Sequence, residues 1–226
     1  MDGYLISCNL STRHSYNLVA DRYIDPVLDE IRKKGYNQRL LDVFAKRFPD
    51  GSLICDAGCG PSAHIGRYLF DKGMKVTGVD ISDRCIAMAS NLNKGIAFIC
   101  DDIAQSDLIS GSFDGIISYD SIIHTPKSHM NILFDAFYRI LKPGGSLMVA
   151  VNAGLGEGFQ KELLGINTEI YISCFSEAEI RNYFETAGFA IDLLEITKSG
   201  NPAINNERIY AIGTKPHTTS LFPAAR

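Results

Sequence analysis

Residues 53–62, LeuIleCysAspAlaGlyCysGlyProSer, constrain the fold of this chain more than any other segment. A short apolar run ends in Asp56, and two glycines, Gly58 and Gly60, follow one residue apart. Such a run reads as a buried parallel strand, and glycines directly after it let a loop backbone press against a ligand because no Cβ intervenes. A second run, ValThrGlyVal at 76–79, ends in Asp80, about 20 residues past the first glycine. An acid closing the second strand of such a unit binds the two hydroxyls of a ribose. The two segments together predict a nucleoside site at the C-terminal edge of a parallel sheet.

The pattern continues along the chain. Strands are expected at about 53–56, 75–79, 96–100, 114–119 and 145–151, with helices near 65–72, 83–93 and 128–141. Alternation at this spacing requires right-handed crossovers and gives a Rossmann-like, doubly wound α/β sheet covered by helices on both faces. Ser176 and Glu179 form a capping-box pattern for a helix that stops at Gly188. Strands at about 189–197 and 208–214 follow, joined by a polar link containing SerGlyAsnPro at 199–202. That link is too short for a crossover helix, so the pair must be antiparallel. Ahead of the first strand, apolar residues between Ser15 and Phe48 recur at helical spacing, with Pro26 placed for a first turn and Gly35 between two helices. The result is a single domain over 1–215, with a helical lead-in at 1–48, an insertion at 152–175, and an aperiodic tail at 216–226 expected to fray.

Charge and composition remove several functions. The 26 acids against 22 bases give a net charge of -4, and the bases are scattered, so no stripe for a nucleic-acid backbone is expected. The one basic run, ArgLysLys at 32–34, reads as a solvated helix face. No apolar run reaches bilayer-spanning length, and the N-terminus carries no secretory pattern. The six cysteines, at 8, 55, 59, 85, 100 and 174, show neither a CxxC pair nor zinc spacing. They read as reduced core thiols, which implies a cytoplasmic location and no metal site.

The glycines alone do not separate two ligands, since Gly58 to Ala63 also fits the G-x-G-x-x-A form of the dinucleotide fingerprint. Asp56 favours one of them. In a dinucleotide site a carboxylate there would repel the pyrophosphate, whereas S-adenosylmethionine presents an ammonium and a sulfonium. Five segments then fall in order: AspAlaGlyCysGly at 56–60, ThrGlyValAspIleSer at 77–82, AspAspIle at 101–103, SerPheAspGlyIleIle at 112–117 and LeuLysProGlyGly at 141–145. In this order they resemble the class I S-adenosylmethionine-dependent methyltransferases, in particular the small-molecule branch (type 11/25-like), over about Tyr16 to Lys215. The resemblance implies a seven-stranded sheet with an antiparallel last strand, and S-adenosyl-L-methionine as cofactor with S-adenosyl-L-homocysteine as product.

Carried over by position, Asp56, Ala57, Gly58, Cys59 and Gly60 would line the methionine end of the cofactor, with Ser118 beside them. Asp80 would take the ribose hydroxyls and Ile81 would pack on adenine. Asp102, rather than Asp101, would meet the adenine amino group, with the backbone of Ile103 donating to the ring. Ser62 stands where the family often has glycine, and His64 follows it. Tyr16 and Tyr23 lie in a segment that resembles the helix covering the cofactor; each could contact methionine or the acceptor, or simply pack in the core.

The acceptor implied is a small molecule methylated at oxygen, nitrogen or carbon, with the atom left open. His124, in SerIleIleHisThrPro at 121–126, is the candidate general base, against the alternative of a structural loop histidine; Tyr119 ends the same strand. Glu157 could orient an acceptor or be a solvated loop acid. SerTyrAspSer at 118–121 departs from the Asn/Asp-Pro-Pro-Tyr segment of nucleic-acid amino methylation, so DNA is not expected as acceptor. Phe159, Leu163, Leu164, Ile166, Ile170, Tyr171 and Ile172 in the insertion form either a lid over the acceptor or packing on the sheet. Monomer and homodimer are equally open. Two rival functions remain: an NAD(P)-binding oxidoreductase, which leaves Asp56 and LeuLysProGlyGly without a role, and a non-catalytic partner or sensor that binds S-adenosylmethionine.

Overall fold

The structure, a computed structural model, describes residues 2–32, 36–198 and 207–217. Two helices lead in, α1 (Gly3–Arg32) and α2 (Tyr36–Ala45). The alternating part follows as β1 (Leu53–Ala57), α3 (His64–Phe70), β2 (Lys75–Asp80), α4 (Asp83–Leu92), β3 (Ala97–Cys100), β4 (Phe113–Tyr119), α5 (Met130–Ile140) and β5 (Leu141–Asn152). Then come β6 (Glu157–Leu163), β7 (Ile166–Ser173), α6 (Glu177–Thr186), β8 (Ala190–Lys198) and β9 (Glu207–Thr214).

Seven strands form one sheet in the order β3-β2-β1-β4-β5-β9-β8. β1 pairs in parallel with β2 and β4, and β9 runs antiparallel to both β5 and β8. The chain therefore winds outward from β1 to β3, returns across β1 to β4, and winds out again. Connections diverge between β1 and β4, and that divergence opens a crevice at the C-terminal strand ends. Both faces of the sheet are covered, which is why β4 buries consecutive residues rather than alternate ones. Ile116 packs with Phe134 and Phe137 of α5 and Phe184 of α6, while Ile117 packs with Leu41 and Phe44 of α2 and Leu69 of α3. The capping box forms as expected: Ser176 Oγ accepts from Glu179 N at 3.2 Å, and Glu179 Oε2 accepts from Ser176 N at 2.7 Å.

Three elements differ from the sequence expectation. α1 begins at Gly3 and passes through Pro26, where a first turn was expected. Its buried stripe, Leu5, Cys8, Thr12, Ser15 and Val19, has helical spacing, but three of the five are polar or small, which hides it from a reading of apolar periodicity. Gly35 and the 199–202 link lie outside the described residues. Second, the insertion is a β-hairpin: β6 and β7 pair antiparallel as a separate two-stranded sheet. Leu164 and Gly165 both have positive φ (52° and 73°), as a two-residue hairpin turn of the right twist demands. Leucine is an uncommon residue there, and so the turn carries no sequence signal. α1 lies along β7, where Ser15 Oγ donates to the Glu169 carbonyl at 3.0 Å and sits 2.8 Å from Thr168 Oγ1. Of the apolar insertion residues, Ile170 and Tyr171 are buried while Phe159 and Leu164 are exposed. Third, β5 starts at Leu141, because Leu141 pairs with Phe113 ahead of a bulge that the ProGlyGly segment accommodates. The chain beyond β9 is held as far as it is described: Lys215 N donates to Gly145 O at 2.8 Å and Gly144 N to Lys215 O at 2.7 Å. Residues 218–226 lie outside the described residues. Among the described residues no helix is long and apolar enough to cross a membrane.

Candidate active site

The glycine loop turns on two glycines whose backbone conformation favours this residue type. Gly58 (φ 82°) and Gly60 (φ 64°) lie in the left-handed region. A Cβ on Gly58 would stand 2.0 Å from Ser121 Oγ, so the loop and the turn after β4 meet in contact across the crevice. Gly58 N and Cys59 N both donate to Val79 O, at 2.7 and 3.1 Å, and Gly60 N donates to Asp80 Oδ2 at 2.9 Å. Asp80 Oδ1 accepts from Ser82 N at 2.9 Å. The acid closing β2 thus fixes the loop from below and faces the cleft with both oxygens anchored. Burial raises its pKa, against these hydrogen bonds.

Asp56 occupies a different place from the one expected. Its carboxylate is 2% exposed, accepts from Gly66 N at 2.9 Å, and is not among the side chains that line the cleft. The side chain turns under the loop toward the first turn of α3, where free backbone N–H groups offer a partner to an acid. Burial pushes its pKa up to about 7, with Asp80 adding in the same direction and the Gly66 hydrogen bond opposing. Ala57 and Ser118 are also fully buried and off the cleft wall; Ser118 Oγ has no hydrogen-bond partner among the described residues. Both lie on buried stretches of β1 and β4, ahead of the strand ends that face the opening.

The other expected residues do meet. Tyr16, Tyr23, Gly58, Cys59, Gly60, Asp80, Ile81, Asp102, Ile103, Tyr119 and His124 all line one cleft. His124 is buried with Nδ1 2.8 Å from the Tyr171 carbonyl and Nε2 2.9 Å from Tyr16 Oη. A carbonyl only accepts, so Nδ1 carries the proton, Nε2 is the acceptor, and the Tyr16 hydroxyl donates. Burial pushes the His124 pKa down to about 4, so the ring is neutral at physiological pH. The same burial raises the Tyr16 pKa well above its ordinary value. Tyr23 stacks edge-on against Tyr16 with ring centroids 5.6 Å apart. The Tyr119 hydroxyl accepts from Arg208 Nη1 at 3.0 Å and lies 3.3 Å from Tyr210 Oη, so it is engaged in a hydrogen-bonded group at the cleft wall. Glu157 is neither a cleft residue nor a solvated acid without partners: Oε2 accepts from Lys127 N at 2.8 Å and ties β6 to the turn before α5.

Sequence reasoning missed several lining residues, among them Asn9, Thr12, Asp120 and Ser121, and it noted His64 and Asp101 without placing them in the cleft. A signal for Asn9 existed. Asn9, Tyr16 and Tyr23 are spaced by sevens, which puts all three on one face of α1. Asp120 could not be read, because a non-glycine residue at φ 52° just past a strand end has no sequence mark. It forms an ion pair with Arg208 of β9, a contact that only the antiparallel return of the sheet creates. His64 sits 3.0 Å from Ser62 Oγ and is pushed down to about 4 by burial and by the charge of Arg208.

The residues fit S-adenosylmethionine: two glycines at positive φ in the loop, one of them with no room for a Cβ, an anchored acid at the end of β2, and a second acid, Asp102, further along the same wall. Comparison with known proteins agrees. Residues 54–145 match the methyltransferase-domain family. The chain is 38% identical over 105 residues to an S-adenosyl-L-methionine-dependent Diels-Alderase of Talaromyces variabilis, across 43% of this chain and 35% of that one. It is 31% identical over 119 residues to malonyl-[acyl-carrier protein] O-methyltransferase of Enterobacter lignolyticus, across 53% of this chain and 45% of that one. The matches therefore span less than half the length of either relative. In fold it is similar to Burkholderia thailandensis 1,6-didemethyltoxoflavin-N1-methyltransferase with bound 1,6-didemethyltoxoflavin and S-adenosylhomocysteine: TM-score 0.71 at 16% identity, covering 96% of this chain and 91% of that one. Residues 54–145 thus read as a methyltransferase domain, and in its five ordered segments, strand order and cleft at the β1/β4 divergence the chain is similar to the class I S-adenosylmethionine-dependent methyltransferases.

Proposed function

We propose that the protein transfers a methyl group from S-adenosylmethionine to an oxygen, nitrogen or carbon atom of a small-molecule acceptor. The observation that carries this reading is the cleft itself, in which the glycine loop, Asp80 and Asp102 share one wall with the Tyr16–His124 pair. When bound, the cofactor supplies an activated methyl on a sulfonium, so the protein's task is alignment and exclusion of water. Asp80, with Gly60 N on one oxygen and Ser82 N on the other, is held in place to receive ribose hydroxyls. Asp56 acts at one remove: it holds the first turn of α3, and so the shape of the loop.

His124 serves as a positioning residue rather than a general base. A base needs a free lone pair and a pKa near the working pH. His124 Nε2 is occupied by Tyr16, and burial holds the ring at about 4. Its Nδ1 anchors to β7, so the imidazole joins the hairpin, α1 and the turn after β4 at one point. The Tyr16 hydroxyl, held over the cleft in this way, closes the cleft against water. The six cysteines are all unpaired, which supports a reducing, cytosolic setting. The relative from Talaromyces variabilis motivates a second reading, in which the bound cofactor keeps its methyl group.

Calorimetry with S-adenosylhomocysteine and NAD, followed by turnover of S-adenosylmethionine against a metabolite panel, separates these readings. Binding of S-adenosylhomocysteine and not NAD, with S-adenosylmethionine converted to S-adenosylhomocysteine only when acceptor is present, is the expected outcome. Tight NAD binding alone would remove the methyltransferase reading, and cofactor binding with no methyl loss on any acceptor would favour the second. Tyr16→Phe and His124→Ala should each slow turnover by about tenfold and be non-additive when combined. Full activity in Tyr16→Phe with none in His124→Ala would restore His124 as base.

A further inference from the structure

Asp102 is the acid that the family resemblance pairs with the adenine amino group, and in the structure its carboxylate is already surrounded by donors. Oδ1 accepts from Ala104 N at 3.0 Å, and Oδ2 accepts from Gln105 Nε2 and, at 2.7 Å, from Asn9 Nδ2. Asn9 belongs to α1, far along the chain, and both residues line the cleft beside Ile81, Asp101 and Ile103. A carboxylate only accepts, so the nitrogen of the Asn9 amide must face Asp102. That fixes the amide and leaves its oxygen, Asn9 Oδ1, without a hydrogen-bond partner among the described residues.

We propose that Asn9 is a second reader of the cofactor's base, working with Asp102 to select an amino group over an oxo group. The inference rests on the cofactor reading above. An exocyclic amino group on a purine carries two N–H donors and no useful acceptor. Asp102 and the Asn9 carbonyl offer two adjacent acceptors, and the Asn9–Asp102 hydrogen bond holds them in mutual register. An asparagine amide also matches the neighbouring ring nitrogen of adenine, since it carries a donor beside its acceptor. An oxo group in the same place would set lone pairs against both oxygens and leave two cleft acceptors unsatisfied. Because Asn9 sits on α1, base recognition and docking of α1 over the cleft become one event.

Calorimetry on the full chain with S-adenosylhomocysteine and with its deaminated analogue S-inosylhomocysteine tests this. Wild type should prefer the adenosyl ligand. Asn9→Ala should weaken S-adenosylhomocysteine by at least about fivefold while changing the inosyl analogue by less than about twofold, so that the preference shrinks. Asn9→Leu keeps the side-chain volume and suits a helix, and it should give the same loss of preference if the alanine variant folds poorly. Equal weakening of both ligands would overturn the proposal, reducing Asn9 to a docking contact for α1. Unchanged or tighter S-adenosylhomocysteine binding would overturn it too, because Asn9 would then only occupy Asp102. Wild type binding neither ligand would instead remove the cofactor reading on which the proposal stands.

Discussion

Among single residues, Asp56 shows how position in the fold changes the meaning of a side chain. In sequence it reads as a carboxylate presented to a cationic ligand; in the structure it is buried behind the loop with its pKa lifted from 3.8 to about 7. The folded state therefore holds a proton that the unfolded chain releases above about pH 4. Stability from this group is complete below pH 3.8 and is lost as pH rises through about 7, a span of roughly 4 kcal/mol. Asp56→Asn stays neutral and still offers an oxygen to Gly66 N. Melting curves should show the wild type losing stability relative to this variant between about pH 4 and about pH 7; parallel Tm profiles would refute the buried-acid account. The sign is opposite for His124, lowered to about 4, whose contribution is present above the unfolded value of 6.5 and lost as pH falls through about 4.

The glycine loop is an element whose residues differ sharply in what they tolerate. Gly58 and Gly60 share positive φ, so an alanine at either costs about 1–2 kcal/mol in backbone strain. Only Gly58 adds a collision, with Ser121 Oγ at 2.0 Å and Ser121 Cβ at 2.3 Å; a Cβ on Gly60 meets nothing closer than Tyr23 Cε1 at 4.0 Å. Gly60→Ala should fold with a Tm lower by a few degrees, whereas Gly58→Ala should lose both most of that stability and S-adenosylhomocysteine binding. Comparable melts for the two would show that the contact across the crevice is unimportant. The hairpin of β6 and β7 is the element that sequence reading could not find, since a LeuGly turn and mixed exposure give neither turn chemistry nor clean alternation.

At the scale of the molecule, the cleft is closed by contacts drawn from distant parts of the chain. α1 reaches Asp102 through Asn9, Ile81 O through Arg13 Nε at 2.9 Å, and His124 through Tyr16. A ligand in the cleft should therefore stabilise α1 together with the sheet. At 100 times its dissociation constant, S-adenosylhomocysteine should add about 2.7 kcal/mol, raise Tm by about 5–10 °C, and slow tryptic cleavage at Arg13. A rise in Tm without protection at Arg13 would mean that α1 moves independently of the site. The sequence by itself determined the sheet, its antiparallel end, the glycine loop and most of the cleft wall, because strand periodicity, glycine φ and strand-end acids are local properties. Only the tertiary structure decided that Asp56 lies behind the wall, that His124 is spoken for by Tyr16 and Tyr171, that Asn9 lines the cleft and that Arg208 braces Tyr119 and Asp120 of its wall. Those outcomes depend on which distant groups meet and how deeply they are buried, and neither distance through space nor desolvation is written in the order of residues.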